Sequence, residues 1–426
     1  MVFPANEAQA VPSYARQMNM ECGGCHTRFP KLNAFGREFK LTGYTLQAGE
    51  QIRAENDKKT ATLSLNQLPP ISVMLQAAYT HTASSVPDTQ NSDVQLPQQL
   101  SLFLAGRISP KLGSFLQLTY TQEDDKFSID NTDIRFADRT TVGGMPVAYG
   151  LTLNNAPTVE DLWNSTPTWG FPWAGPDASP GPAAATLIDG GLSQDVVGIG
   201  AYSLWNQSFY VAGTLYRSAH LGSTTPSVDS INTIDSVAPY LRLAWQHQWA
   251  SSYLEVGVYG IRADLIPEGV SGSTDRYQDI AADFQFERLL RGGQLTVHGT
   301  YIHEKQELDA SFAAGNSANA SNDLDTARLD ASYGVDNWEI ALGLFSTTGD
   351  SDAGLYGPGE VDGSANFEPD SRGWVGQLAY FPWQNVQLLL QYTGYNKFNG
   401  RRSDYDGFGR NASDNNALFL QAWFMW

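Results

Sequence analysis

Two periodicities divide the chain. From about residue 68 onward, apolar and polar positions alternate with a period of two. Leu100, Leu102, Leu104 and Ile108 alternate with Ser101, Phe103, Ala105 and Arg107, and Leu116, Leu118 and Tyr120 resume the pattern after Pro110-Lys111-Leu112-Gly113. The same pairing returns at Leu254, Val256, Val258; at Leu295, Val297, Tyr301; at Trp338, Ile340, Leu342, Leu344; and at Val386, Leu388, Leu390, Tyr392. One face is apolar and the other mixed or polar, as a strand between lipid outside and water inside requires. Tight turns fall near Pro110-Lys111, Trp205-Asn206, Ala250-Ser251, Arg291-Gly292, Asp336-Asn337 and Pro382-Gln384. They alternate with long connections rich in Gly, Ser, Asn and Asp, at 220–235, 266–275, 308–322, 350–370 and 398–413. A soluble sandwich also alternates, but not with this regular exchange of tight turn and long polar loop. The last strand carries Leu418, Leu420, Ala422, Phe424 and Trp426, and in an open sheet it would leave a hydrophobic edge. The expected fold is all-β, a closed antiparallel outer-membrane barrel of roughly sixteen strands with both ends of the chain on the periplasmic side. Segment 131–138 decides between sixteen and the neighbouring even counts.

The first 46 residues do not share this pattern. Residues 13–18 fit a helical turn, and Phe29, Leu32, Phe35 and Phe39 recur at spacings of three and four, the stripe of a short helix with Pro30 in its first turn. The expected organisation is a signal-peptide remnant over 1–10, a compact α-helical segment over 11–46, a polar linker over 47–67 and the barrel over 68–426. Ala8-Gln9-Ala10 has the small-x-small form of a cleavage site. One connection, 157–192, carries Trp163, Trp169, Phe171 and Trp173 and is too apolar for a loop in water, so it is expected to fold into the barrel.

Composition agrees with a barrel. Aromatics reach 12% and charged residues only 17%, with 40 glycines, and no apolar run is long enough for a membrane-spanning helix. A net charge of −19 argues against nucleic acid as a partner.

The chemistry lies in Cys22-Gly23-Gly24-Cys25-His26, which holds the chain's only two cysteines. This spacing is the attachment signature of a c-type haem: two thioethers from Cys22 and Cys25, and His26 as the proximal iron ligand. A thioredoxin-like pair needs a βαβ setting that is missing, and a zinc site needs four ligands. A disulfide across two residues closes almost no loop. Some thirty-five residues are too few to cover a haem on both faces, so the barrel is expected to shelter it, with the segment plugging the lumen. Met18 and Met20 before the motif, and Met74, His81, Met145 and His298 after it, are candidates for the distal ligand, Met20 first. Lys31, Arg37 and Lys40 either meet the propionates or form the solvated face of a helix.

The runs Val11-Pro12-Ser13-Tyr14-Ala15-Arg16-Gln17, Cys22-Gly23-Gly24-Cys25-His26 and Pro30 through Lys40, with Gly43-Tyr44, resemble the fused monohaem cytochrome–porins, whose best-known members are the outer-membrane iron oxidases of iron-oxidising bacteria. Asn154 through Thr158, and Trp169-Gly170-Phe171-Pro172, resemble their barrel portion. The resemblance implies one covalent haem c in the lumen that takes electrons from extracellular Fe(II) and hands them to a periplasmic cytochrome c, an iron:cytochrome c oxidoreductase activity. It also carries Cys22, Cys25 and His26 over as the haem-binding residues. Two other functions compete: an electron conduit for a different extracellular donor or acceptor, and a diffusion porin in which the haem segment gates or senses.

Overall fold

The computed structural model describes residues 11–28, 30–56, 61–87, 89–122, 125–219, 233–267 and 273–426. The expected signal-peptide remnant at 1–10 and the Phe29 of the apolar stripe lie outside the described residues.

The alternating region closes into an antiparallel barrel. Among the described residues it has sixteen strands. They are Ile71–Thr82, Asp93–Leu104 (continued by Gly106–Ser109), Leu112–Thr121, Lys126–Val142, Met145–Asn154, Val196–Trp205, Phe209–Ser218, Ala238–Gln248 (preceded by Thr233–Ile234), Ser252–Ile266, Asp275–Leu290, Gly293–Glu307, Ser321–Val335, Trp338–Gly349, Ser371–Trp383, Val386–Lys397 and Ala417–Met425. The last strand pairs with the first, Phe419 opposite Thr80 and Met425 opposite Met74, so neither is left as an open edge. The two-residue period decides which side chains face out. Ile340, Leu342 and Leu344 are exposed while Ala341 and Gly343 are buried, and Leu388 and Leu390 are exposed while Leu389 and Gln391 are buried. The doubtful segment 131–138 lies inside Lys126–Val142, a 17-residue strand. It turns into its neighbour through Gly143 and Gly144, both at positive φ (59° and 82°), where glycine relieves the strain of a side chain. This turn had no counterpart among the expected ones.

The N-terminal segment holds two helices, α1 (Pro12–Met18) and α2 (Ala34–Leu41). The second starts later than the stripe predicts. Pro30 sits in the turn of a small ladder, His26–Arg28 against Lys31–Leu32. The helix begins only after Asn33, whose side chain accepts from Gly36 N at 3.0 Å. Hydrogen bonds tie the segment to strands spread around the ring. Ser13 N donates to Ser72 Oγ (2.6 Å), Tyr202 Oη to Leu41 O (2.8 Å), and Lys31 Nζ to Ser332 Oγ (2.5 Å). The region expected as a linker is not featureless: Gln51–Glu55 and Ala61–Asn66 pair as an antiparallel hairpin.

The connection 155–195 folds inward as expected. Trp163 is fully buried, donating through Nε1 to Gln246 Oε1 (3.0 Å) and Tyr253 Oη (2.5 Å) and meeting Tyr210 edge-on at 5.2 Å. Asp161 beside it lies 3.3 Å from the buried Arg242 of the wall.

Candidate functional site

The Cys22–His26 motif is held from three sides. Cys22 N donates to Gln384 Oε1 (3.0 Å), and Gln384 Nε2 donates to Glu21 Oε2 (3.0 Å), which fixes the start of the motif to a tight turn of the barrel. Asn33 grips the middle: its Nδ2 reaches Gly23 O (3.2 Å) and Gly24 O (3.1 Å), while its N donates to Cys25 O (2.9 Å). One asparagine thus caps α2 and binds the motif to that helix. Gly36 then packs on the same carbonyl. A Cβ at this position would lie 2.1 Å from Cys25 O, so only glycine allows the approach.

Cys25 and His26 open onto a cavity of about 340 Å³. Three parts of the chain line it. The segment brings Tyr14, Phe39 and Tyr44, with Tyr14 stacked on Tyr44 (5.4 Å, 12°) and edge-on to Phe39 (4.9 Å). The wall brings Met74, Phe103, Phe115, Trp423 and Met425, and the infolded connection brings Trp169 and Trp173. Trp173 stacks on Trp423 at 4.9 Å and 12°. Most of these side chains belong to one buried apolar cluster, and glutamines 76, 98 and 117 add a polar stretch of wall.

The electrostatics of the motif favour ligation over thiol chemistry. Burial pulls the His26 imidazole down to about 4, with the Pro30 and Lys31 carbonyls pulling the other way. The ring is therefore neutral at neutral pH, the form that binds a metal. Burial, then the neighbouring Cys22, pushes the Cys25 thiol up to about 12, far from the thiolate that a redox pair needs. The two cysteines are not joined to each other. Two thiols, a neutral imidazole and an aromatic cavity beside them fit a haem c.

The three cationic residues do not form the solvated face of a helix. Lys31, Arg37 and Lys40 are buried and bind the barrel or its infolded connection. Lys31 Nζ lies 3.7 Å from Glu339, Arg37 pairs with Glu287, and Lys40 Nζ donates to Val159 O (2.9 Å) and Asn164 Oδ1 (3.0 Å). Met20, the first choice for a distal ligand, is 37% exposed and packs on Gly24, away from the cavity. Trp423 and Met425 were missed, although the alternation of the last strand turns them inward as surely as it turns Leu420 and Phe424 outward. Gln384 and Asn164 carry no signal in the sequence.

No protein-family model and no curated protein matches the chain. Solved structures similar to it are outer-membrane proteins. The DcaP channel of Acinetobacter baumannii is 10% identical, covers 84% of this chain and 96% of its own, and has a TM-score of 0.48. OmpT of Vibrio cholerae is 11% identical with coverages of 84% and 96% and a TM-score of 0.44. Salmonella typhi OmpF, in complex with daunomycin, is 11% identical with coverages of 88% and 100% and a TM-score of 0.45.

Proposed function

We propose that the protein lies in the outer membrane and carries electrons across it through one haem c, held in the lumen by a plug formed of residues 11–46. The observation that carries this reading is the meeting of the Cys22–His26 motif with an aromatic cavity lined jointly by segment, wall and infolded connection. The exposed apolar face of the strands supports a lipid setting. Cys22 and Cys25 would hold the haem by thioethers, and His26 would be its proximal ligand. A haem bound there supplies a one-electron couple whose potential depends on its axial ligands and burial.

The chain's own residues do the rest. Asn33 and Gly36 keep the motif against α2. Phe103, Phe115, Trp169 and Trp173 give the cavity an aromatic lining, which would make a charge change there sensitive to its surroundings. Gln384 places the motif at the end of the barrel with the tight turns, where a periplasmic cytochrome c would accept the electron. The substrate assigned to the opposite, long-loop end is Fe(II), and the family resemblance of the N-terminal segment is its support. No acid, base or nucleophile is required.

The test uses purified protein and membranes that contain it. A pyridine haemochrome assay with intact-mass analysis is expected to find one covalent haem, absent when Cys22 and Cys25 are both changed to Ala. Addition of Fe(II) is expected to produce the reduced haem spectrum within seconds. A chain without covalent haem overturns the cofactor, and a haem that Fe(II) leaves oxidised overturns the donor.

A further inference from the structure

Of the candidates for a sixth iron ligand, the position of each side chain relative to the cavity of Cys25 and His26 leaves the methionines of the barrel wall. Met145 is exposed at a tight turn, and His81 is exposed with its Nδ1 3.0 Å from Ser92 Oγ. His298 does not line this cavity and is held by the wall, Nε2 3.0 Å from Gln285 Oε1 and Nδ1 3.4 Å from Asp330. Met20 lies outside the cavity, and Met18 packs in the apolar cluster without lining it. Three of the oxygen and nitrogen groups that line the cavity are held by other partners. Tyr14 Oη donates to Ser114 O (2.7 Å), Tyr44 Oη to Asp133 Oδ2 (2.7 Å), and Lys40 Nζ is bound to Val159 and Asn164.

Met74 differs from all of these. It is fully buried, points inward from the first barrel strand, and lines the same cavity as Cys25 and His26. Its Sδ accepts from Gln76 Nε2 at 3.5 Å, which holds the thioether in place from the same face of the strand. Met425, its cross-strand partner, also lines the cavity and is the near control.

We infer that Met74 Sδ is the distal ligand of the haem iron, with Gln76 as the residue that positions the sulfur. This rests on the haem reading above. A soft thioether suits haem iron, and imidazole–thioether ligation raises the potential, which favours taking an electron from a weak reductant. The barrel wall would then supply what the small segment lacks, and α1 and α2 would need no ligand of their own beyond His26.

The experiment uses the full chain in detergent. Covalent haem is counted by pyridine haemochrome, a readout indifferent to the native axial ligands. The oxidised protein is then scanned for the far-red thioether-to-iron charge-transfer band and titrated for its potential. Met74→Ala is expected to keep the haem, lose the band and lower the potential, while Met20→Ala keeps both and Met425→Ala, which only trims the cavity wall, keeps the band. Met74→His is expected to keep a six-coordinate low-spin iron with a bis-imidazole electron paramagnetic signature, which guards against simple misfolding of the alanine variant. Gln76→Leu is expected to keep the band and shift the potential. A band that survives Met74→Ala, or a normally loaded wild type without the band, overturns the ligand assignment alone. A chain without covalent haem overturns the cofactor reading and this one together.

Discussion

Asn164 joins two regions that are far apart in sequence: its Oδ1 accepts from Lys40 Nζ at 3.0 Å, and its Nδ2 donates to Pro30 O at 2.8 Å. One amide of the infolded connection therefore anchors α2 to the turn at Pro30 that follows the Cys22–His26 motif.

Asn164→Gly removes both hydrogen bonds and keeps a backbone that tolerates the residue's positive φ of 58°. Each buried partner left unsatisfied costs about 1–3 kcal/mol. The expected outcome is a lower melting temperature in detergent and an altered haem potential. An unchanged melt would show that the amide contributes nothing to the docking of the segment.

Arg37 and Glu287 form a buried pair between α2 and the strand Asp275–Leu290, with Arg37 also over the Tyr253 ring at 3.9 Å. Removal of one member strands a buried charge, at a cost of about 3–5 kcal/mol, whereas removal of both is much milder. In a double-mutant cycle, Arg37→Met and Glu287→Met are each expected to destabilise strongly and the double variant less than either. Additive losses would mean that the two do not interact.

Lys40 gives the segment a pH dependence. Burial first, then the nearby Arg135, pulls its ammonium down to about 7 from the ordinary 10.5. Between these values the unfolded chain binds more protons than the folded one, so stability from this group rises with pH from about 7 to 10.5 and is at its lowest below 7. Lys40→Met is expected to flatten the rise in melting temperature across that window. A parallel rise in both proteins would assign it to other groups.

The barrel was legible because its strands alternate an exposed apolar face with a buried inward one, and a one-residue slip would put Leu388 and Leu390 inside. The Cys22–His26 motif stands out in the sequence because it holds the chain's only two cysteines, two residues apart and followed directly by a histidine. What could not be read is tertiary. Lys31, Arg37 and Lys40 look like a solvated face until carboxylates and amides from distant strands and the infolded connection are brought to them. The start of α2 was misplaced because Pro30 is a good first-turn residue and Asn33 a good cap, and only the hold of Asn33 on the motif decides between them. The distal candidates could be ranked only after the wall showed which methionines face the cavity.

Gly36→Ala tests the packing of α2 on the motif. The new methyl would meet the Cys25 carbonyl, a backbone atom that cannot rotate away. Overpacking of this kind costs about 1–3 kcal/mol, and the expected result is a lower melting temperature with reduced haem loading. Gly181→Ala, where no atom lies within 4 Å, is the control and is expected to leave both unchanged.

The account turns on passage of an electron from one side of the barrel to the other. The direct measurement places the protein in sealed liposomes with a c-type cytochrome trapped inside and Fe(II) added outside. Reduction of the trapped cytochrome is followed by its absorbance. The account predicts reduction by the wild-type protein, none by the Cys22→Ala/Cys25→Ala variant, and little leakage of a trapped small sugar in either case. A trapped cytochrome that stays oxidised while the wild type carries its haem, or equal reduction by the haem-free variant, would contradict it.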